Sequence, residues 1–275
     1  MNNNRLTTKL ISAPHVLWAF IFILIPLALI VYYAFTDMSG AFSLASIKSL
    51  SKYTDTFMLS IWLGFIATII CLIIAYPISY IISQSSAGTQ RTLIMLTMLP
   101  MWMNFLIRTY SWMTILEDSG IINSVFAKIG LPRVHMINTR GAVILGMVYN
   151  FLPFMILPIY SVMVKLDKSL VEACADLGGN RVDVLSKVIF PLSLPGIVSG
   201  FTMVFVPSVS TFYISEKLGG PSTKLIGDII ESQFHASNNF NMGAALSLVL
   251  MIMILLCMAV MNRFTDEDSK GAIIG

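Results

Sequence analysis

SIWLGFIATIICLIIAYPISYIIS, residues 60–83, runs without a single charged side chain. A helix needs about 20 predominantly apolar residues to cross the hydrocarbon of a bilayer, and this stretch is long enough. Its apolar residues are continuous, whereas a barrel strand alternates. Only helices and closed barrels satisfy every backbone group in lipid, so the stretch reads as a membrane helix. Working outward, five more blocks qualify, at 15–35, 92–116, 141–164, 192–214 and 242–262. The expected fold is an all-α integral membrane protein of about six transmembrane helices, forming one domain over residues 1–275.

Composition agrees. The chain is 56% hydrophobic and 11% charged, against about 25% charged in soluble domains. It cannot cover a globule with ionised groups, so much of its surface must face lipid. A net charge of +3 with no run of Lys and Arg excludes a nucleic-acid partner. Cys71, Cys174 and Cys257 are too scattered for a disulfide framework or a metal site. The 18 methionines are spread singly and read as flexible packing, not a soft-metal path. Arg5 and Lys9 precede the first block, whose apolar core exceeds the 7–15 residues of a signal peptide and lacks a small-x-small cleavage site, so an uncleaved first helix is expected. Pro26, Pro77, Pro100, Pro153, Pro158 and Pro207 punctuate the blocks, and each frees a carbonyl that a neighbour must satisfy. Lys and Arg are slightly more frequent in the loops on the N-terminal side, which favours a cytoplasmic N-terminus. An even helix count puts both termini on that side.

One connection is clearly soluble and helix-forming: KLDKSLVEACADLGGNRVDVLSKVIFP, residues 165–191. Asp167 or Ser169 can cap a short helix, and Ser169 with Glu172 fits a capping box. Leu170, Ala173 and Leu177 share a face. Gly178 is placed to end the helix at positive φ, and Asn180 to cap a second helix that stops at Pro191. A short helix, a tight turn and a second helix suit docking into a groove on another protein.

Glu172-Ala173, then Ala175-Asp176-Leu177-Gly178, then Ile189-Phe190-Pro191-Leu192 resemble the EAA loop of ABC importer permeases, departing from it at Cys174, where Ala is usual. The runs 102–110, 152–155, 157–160, 165–168 and 212–220 further resemble the first permease subunit of spermidine/putrescine importers. The resemblance implies a type I importer in a bacterial inner membrane, with both termini cytoplasmic. It also implies a second homologous permease, two ATPase subunits and an extracytoplasmic polyamine-binding protein as partners. Residues 165–191 would then be the coupling loop, with Asp167, Glu172, Ala173, Asp176, Gly178 and Pro191 meeting the ATPase. The sequence holds no G-x-x-x-x-G-K-[ST] phosphate loop and no nucleophile–base cluster. ATP and Mg²⁺ would therefore bind to the partners, and no cofactor or enzymatic activity is expected of this chain.

Charged groups inside a membrane helix are expensive and read as functional by default. Phe212, Tyr213 and Glu216, at i, i+1 and i+4, can share a helix face, where a carboxylate beside aromatic rings suits a passing ammonium. Asn104, Arg108 and Trp112 repeat at i, i+4 and i+8 on the third block. Arg108 is expected to pair with Glu117 or Asp118, or to snorkel, and so to serve structure or gating. Tyr149 and Asn150 on the fourth block can line the same path. Asp228 and Glu231 can add negative potential at its mouth. Two alternatives stay open: an ABC permease for ferric iron or an anion, and an ion-coupled secondary transporter. The second would leave the EAA-like loop unexplained and should show internal repeats.

Overall fold

The computed structural model describes residues 14–271; Arg5 and Lys9 lie outside them. Among the described residues the elements are helical, apart from one bridge between Thr36 and Phe42. In chain order the main helices are α1 (Pro14–Ala34), α2 (Thr54–Gln84), which short helical turns at Ala45–Ser49 and Leu50–Tyr53 precede, α3 (Ala87–Trp102), α4 (Phe105–Leu116), α5 (Ile121–Lys128) and α6 (Arg140–Met163). They continue with α7 (Lys168–Asp176), α8 (Arg181–Ser210), α9 (Tyr213–Leu218), α10 (Ile226–His235) and α11 (Phe240–Gly271). Five of them, α1, α2, α6, α8 and α11, are each long and apolar enough to cross a membrane. The sixth candidate span is a pair, α3 with the α4–α5 run, bent by 87°.

That bend corrects the expectation of one continuous helix over 92–116. Met103 is extended (φ −73°, ψ 144°), and Asn104 starts a new helix by accepting from the Leu106 and Ile107 amides at 2.8 and 3.4 Å. Apolarity alone cannot reveal a break, because both halves stay apolar. The fifth block is also interrupted: α8 ends at Ser210, Thr211 is extended, and a new helix begins at Tyr213. Nor is 165–191 the only helical connection, since α9 and α10 also lie outside the candidate spans.

Pro191 does not stop a helix. The chain runs on from Arg181 to Ser210 through a π-helical turn at Val184–Ile189. The Phe190 amide bonds to Leu185 O, five residues back, so the ladder is already widened where proline lacks an N–H and would clash with an α-helical carbonyl. The same device precedes Pro26, where Phe20–Leu24 is π-helical and the Ile25 amide bonds to Phe20 O.

The chain divides into two compact units. One holds the residues up to Thr54 with 229–253, the other 55–228 with the residues from Ile254 onward. In the first, Ala34 packs with Ala244 and Ala245. Asn241 Nδ2 donates to Thr36 O at 2.8 Å and Tyr33 O at 3.1 Å, so the carbonyls left free where α1 ends gain a donor. In the second, Leu63, Ala67, Cys71 and Ala75 of α2 join Val143, Met147, Met155 and Ile159 of α6 and Ile197 and Val204 of α8 in one buried core. Gly196 and Gly200 let α8 press against α6. A Cβ on Gly196 would lie 2.9 Å from Pro158 O, and one on Gly200 2.8 Å from Met155 Sδ. In lipid, close backbone approach of this kind replaces the hydrophobic drive that joins helices in water.

Candidate functional site

Two regions carry chemistry, one at each end of α8. At its N-terminal end stands the α7–α8 hairpin. Asp167, not Ser169, is the N-cap of α7, accepting from the Ser169 amide at 3.0 Å, so the alternative Ser169–Glu172 capping box is not formed. Those contacts hold the Asp167 carboxyl below its usual range, chiefly through the Ser169 amide. The helix closes in a complete Schellman motif. The Gly178 amide donates to Ala175 O at 2.9 Å and the Gly179 amide to Cys174 O at 3.0 Å, with Gly178 at φ +82°. Gly179 has its own reason: a Cβ there would lie 2.7 Å from Cys174 O and 2.8 Å from Cys174 Sγ. Asn180 then caps α8, accepting from Val182 and Asp183, while Asp183 Oδ2 accepts from the Asn180 amide to complete a capping box.

The hairpin is held by backbone geometry on one side and left open on the other. Val171 and Cys174 pack toward the core. Leu170 and Ala173 are exposed, Leu177 is 90% exposed and Val182 71% exposed. The turn thus presents uncovered Leu177 and Val182 on a fixed backbone. Glu172 and Asp167 line a hollow of about 210 Å³ with Tyr80, Ser83 and Gln84 at the end of α2. Asp176 is exposed near the turn, and Pro191 sits just beyond the π segment.

Beyond the C-terminal end of α8, rings from three helices, α4, α6 and α9, form two groups that the Arg108 guanidinium bridges into a ladder. Trp112 of α4 stacks edge-on against Tyr149 of α6, with centroids 5.3 Å apart. Phe105 meets Tyr213 at 5.8 Å, and Tyr110 meets Tyr213 at 6.2 Å. Two cations are seated in this ladder. The Arg108 guanidinium lies 5.9 Å from both the Phe105 and Tyr149 centroids. Lys217 Nζ lies 5.5 Å from Tyr213 and 5.9 Å from Tyr110, and 2.7 Å from Glu216 Oε1.

Arg108 departs from expectation. It pairs with neither Glu117 nor Asp118. Its Nη1 donates to Pro100 O at 2.8 Å, across the break between α3 and α4, while Asp118 pairs with His135 at 2.9 Å. Arg108 is buried and its Nε has no partner among the described residues. It therefore ties the bent pair together, as a second donor to a carbonyl that also accepts from the Met103 amide at 3.3 Å. Asn104 is the N-cap of α4 and does not line the ladder. Asn150 donates to Gly146 O at 2.8 Å, and its Oδ1 is buried without a partner among the described residues. Phe212 is the N-cap residue of α9 and lies exposed. Of the expected pathway residues, the ladder thus gathers Tyr213, Glu216, Trp112 and Tyr149, together with Arg108, which was expected to serve structure or gating. Phe105, Tyr110 and Lys217 were not anticipated. The i+1 spacing of Lys217 from Glu216 was the available signal, but it does not tell which rings the ammonium reaches.

Close by, Glu216 and Asp228 line a second hollow of about 260 Å³ with Gly220 and Lys224. Asp228 Oδ2 accepts from the Leu225 amide at 2.6 Å, and Oδ1 lies 3.0 Å from Ser215 Oγ. Burial pushes its carboxyl up to about 6 despite those donors. Glu231 lies in the other unit and pairs with His235 at 3.7 Å.

Comparison with known proteins fits this arrangement. Residues 91–266 match the family described as binding-protein-dependent transport system inner membrane component. The spermidine/putrescine transport system permease protein PotB of Haemophilus influenzae is 37% identical over 90% of this chain and 90% of its own length. PotB of Escherichia coli is 32% identical over 90% and 93%. In fold, the chain superposes on a bacterial ABC transporter that imports alginate with a TM-score of 0.79, at 16% identity, covering 96% of both chains. By the family match and by that identity across nine-tenths of its length, the chain belongs to the binding-protein-dependent transport system inner membrane components.

Proposed function

We propose that the chain is a membrane-spanning permease subunit of an ATP-driven importer of polyamines, spermidine or putrescine, and works by alternating access with a second permease of the same family. The observation that carries this reading is the α7–α8 hairpin: a turn fixed by a Schellman motif and a capping box, presenting exposed leucine, and continuous with a spanning helix. On this reading the hairpin and both termini face the cytoplasm. Two ATPase subunits bind ATP and Mg²⁺, this chain contributes no nucleotide site, and their closure moves the hairpin. An extracytoplasmic binding protein delivers the amine to the other end of α8. There Glu216 supplies charge, and the rings of Tyr213, Tyr149 and Trp112 supply cation–π attraction of about 0.5–2 kcal/mol per contact.

The polyamine substrate is favoured over an anion because the outward ladder pairs π faces with a carboxylate. The test is uptake by the complete importer in proteoliposomes, with labelled spermidine, putrescine, ferric citrate and sulfate offered in turn with the cognate binding protein. Amine uptake that requires ATP is expected, and Glu216→Gln should slow it several-fold while the complex still assembles. Uptake of iron or sulfate instead, or unchanged amine kinetics in the variant, would refute the substrate or the pathway respectively.

A further inference from the structure

The ammonium site at the end of the ladder already has an occupant that belongs to the chain. Lys217 Nζ is 2.7 Å from Glu216 Oε1, 5.5 Å from the Tyr213 centroid and 5.9 Å from that of Tyr110. A carboxylate and two ring faces around one ammonium are what the end of an alkylamine would seek. We infer that Lys217 is a tethered stand-in for the substrate's ammonium, holding the Glu216–Tyr110–Tyr213 site in the resting permease and leaving it when an amine arrives. The inference rests on the polyamine reading above.

Three observations support displacement over a fixed structural role. The Lys217 side chain is 25% exposed and that of Glu216 51% exposed, so the pair is open to solvent and to an incoming amine. Arg108, the other cation of the ladder, contrasts with it, being buried and tied to Pro100 O. Lys217 also has somewhere to go. It borders a hollow of about 450 Å³ lined by Glu117, Asp118 and Arg133, where, with Asp118 already paired to His135, a displaced ammonium would find the Glu117 carboxylate. A lysine is a fitting occupant because its ammonium is a compact point charge on a flexible four-carbon stem, chemically one end of a diamine. An empty site of this kind would hold any small cation. One filled from within yields only to a ligand that also gains elsewhere along the path, as a polyamine with a second ammonium does.

The experiment uses the complete importer in proteoliposomes and asks whether a monoamine inhibits polyamine uptake. Propylammonium has one ammonium and no second handle. In the wild type, Lys217 should keep it out. In Lys217→Met the vacated site should admit it, lowering its half-inhibitory concentration about fivefold or more, the factor one cation–π contact supplies. Lys217→Gln serves as a second neutral variant should the methionine form assemble poorly, and Lys217→Arg should stay as insensitive as the wild type. Adding Glu216→Gln to Lys217→Met should abolish the new sensitivity. Equal propylammonium inhibition in the wild type and both neutral variants overturns the inference while leaving polyamine import intact. A wild-type importer that carries no polyamine removes the functional reading and this inference together.

Discussion

Replacing Gly178 with Val should uncouple ATP hydrolysis from transport. Gly178 sits at φ +82°, and a Cβ built there meets nothing within 4 Å. The cost is therefore conformational, with no steric term from neighbours. An L-residue in the left-handed region costs about 1–2 kcal/mol, and β-branching raises it. If the turn yields, the Gly178–Ala175 and Gly179–Cys174 hydrogen bonds, 2.9 and 3.0 Å, are also at stake, at about 1 kcal/mol each. Either way, by strain if the turn holds or by lost hydrogen bonds if it yields, about 2–3 kcal/mol shifts the population of the formed turn roughly 30- to 150-fold.

Two companion variants separate backbone strain from loss of a particular residue. Gly178→Ala should cost about 1 kcal/mol, roughly a fivefold shift, and Gly178→Asn less, because Asn tolerates the left-handed region. The assay measures ATP hydrolysis and amine uptake on the same proteoliposomes and takes their ratio. Coupling should fall in the order wild type, Asn, Ala, Val. Normal coupling in the Val variant would refute the proposed use of the turn. An Asn variant as damaged as the Val variant would refute the conformational explanation and point to a direct contact at that position.

Arg108→Met should remove the charge-assisted hydrogen bond to Pro100 O, costing about 1.5–3 kcal/mol, lower the melting temperature of the complex and speed amide exchange around the break after Trp102; Arg108→Lys should not rescue it, because an ammonium cannot lie flat between the Phe105 and Tyr149 rings, and full rescue by Lys would refute the tie. Asp228, pushed up to about 6 from the usual carboxylate value near 4, holds its proton more tightly in the folded chain than in the unfolded one. Its contribution is therefore fully present below pH 4 and is lost as pH rises from there through 6, so amide protection in α9 and the start of α10 should fall between about pH 4 and 6. The step should vanish in Asp228→Asn, and an unchanged step there would assign it to another group.

Much of this was legible in the sequence wherever one physical term dominates. Uninterrupted apolar blocks gave the spans of α2, α6, α8 and α11, because lipid leaves a backbone no alternative to a helix. The hairpin was legible too, since glycine at 178 and asparagine at 180 have local meanings that need no partner. What failed were competitions among neighbours of similar energy. At 102–105 an apolar block hides a break, because Asn104 satisfies two amides locally and Arg108 ties α4 back to the Pro100 carbonyl. Pro191 looked like a stop, yet the π turn before it lets the helix continue. Glu216 was found, but its partner was not: whether a surface carboxylate faces an incoming ligand or an adjacent lysine is decided by side-chain reach across α4 and α9, which spacing along one chain does not encode.

The two functional regions are joined by a single helix. α8 spans 30 residues, about 45 Å at 1.5 Å per residue, with the hairpin turn before its first residue and Thr211, the link to α9, after its last. Along its length Gly196 and Gly200 bring it within contact of the α6 backbone, and a Cβ on Gly146 of α6 would lie 2.5 Å from Leu218 and 2.8 Å from Ile214 of α9. Close-packed contacts of this kind resist sliding, because any shift drives atoms into one another or opens unfilled space. A displacement of the hairpin would therefore be carried by α8 and α6 as one body, and the helical path breaks only at its two ends: the turn at Gly178–Gly179, and the extended Thr211, which packs so closely on Gly227 that no Cβ would fit. Tyr213, Glu216 and Lys217 all lie just past the second of these. A coupling event at the hairpin should thus alter the cation site by re-aiming α9 against α4, so that the grip of Tyr110 and Tyr213 on an ammonium changes with the state of the ATPase although no residue of the ladder touches it.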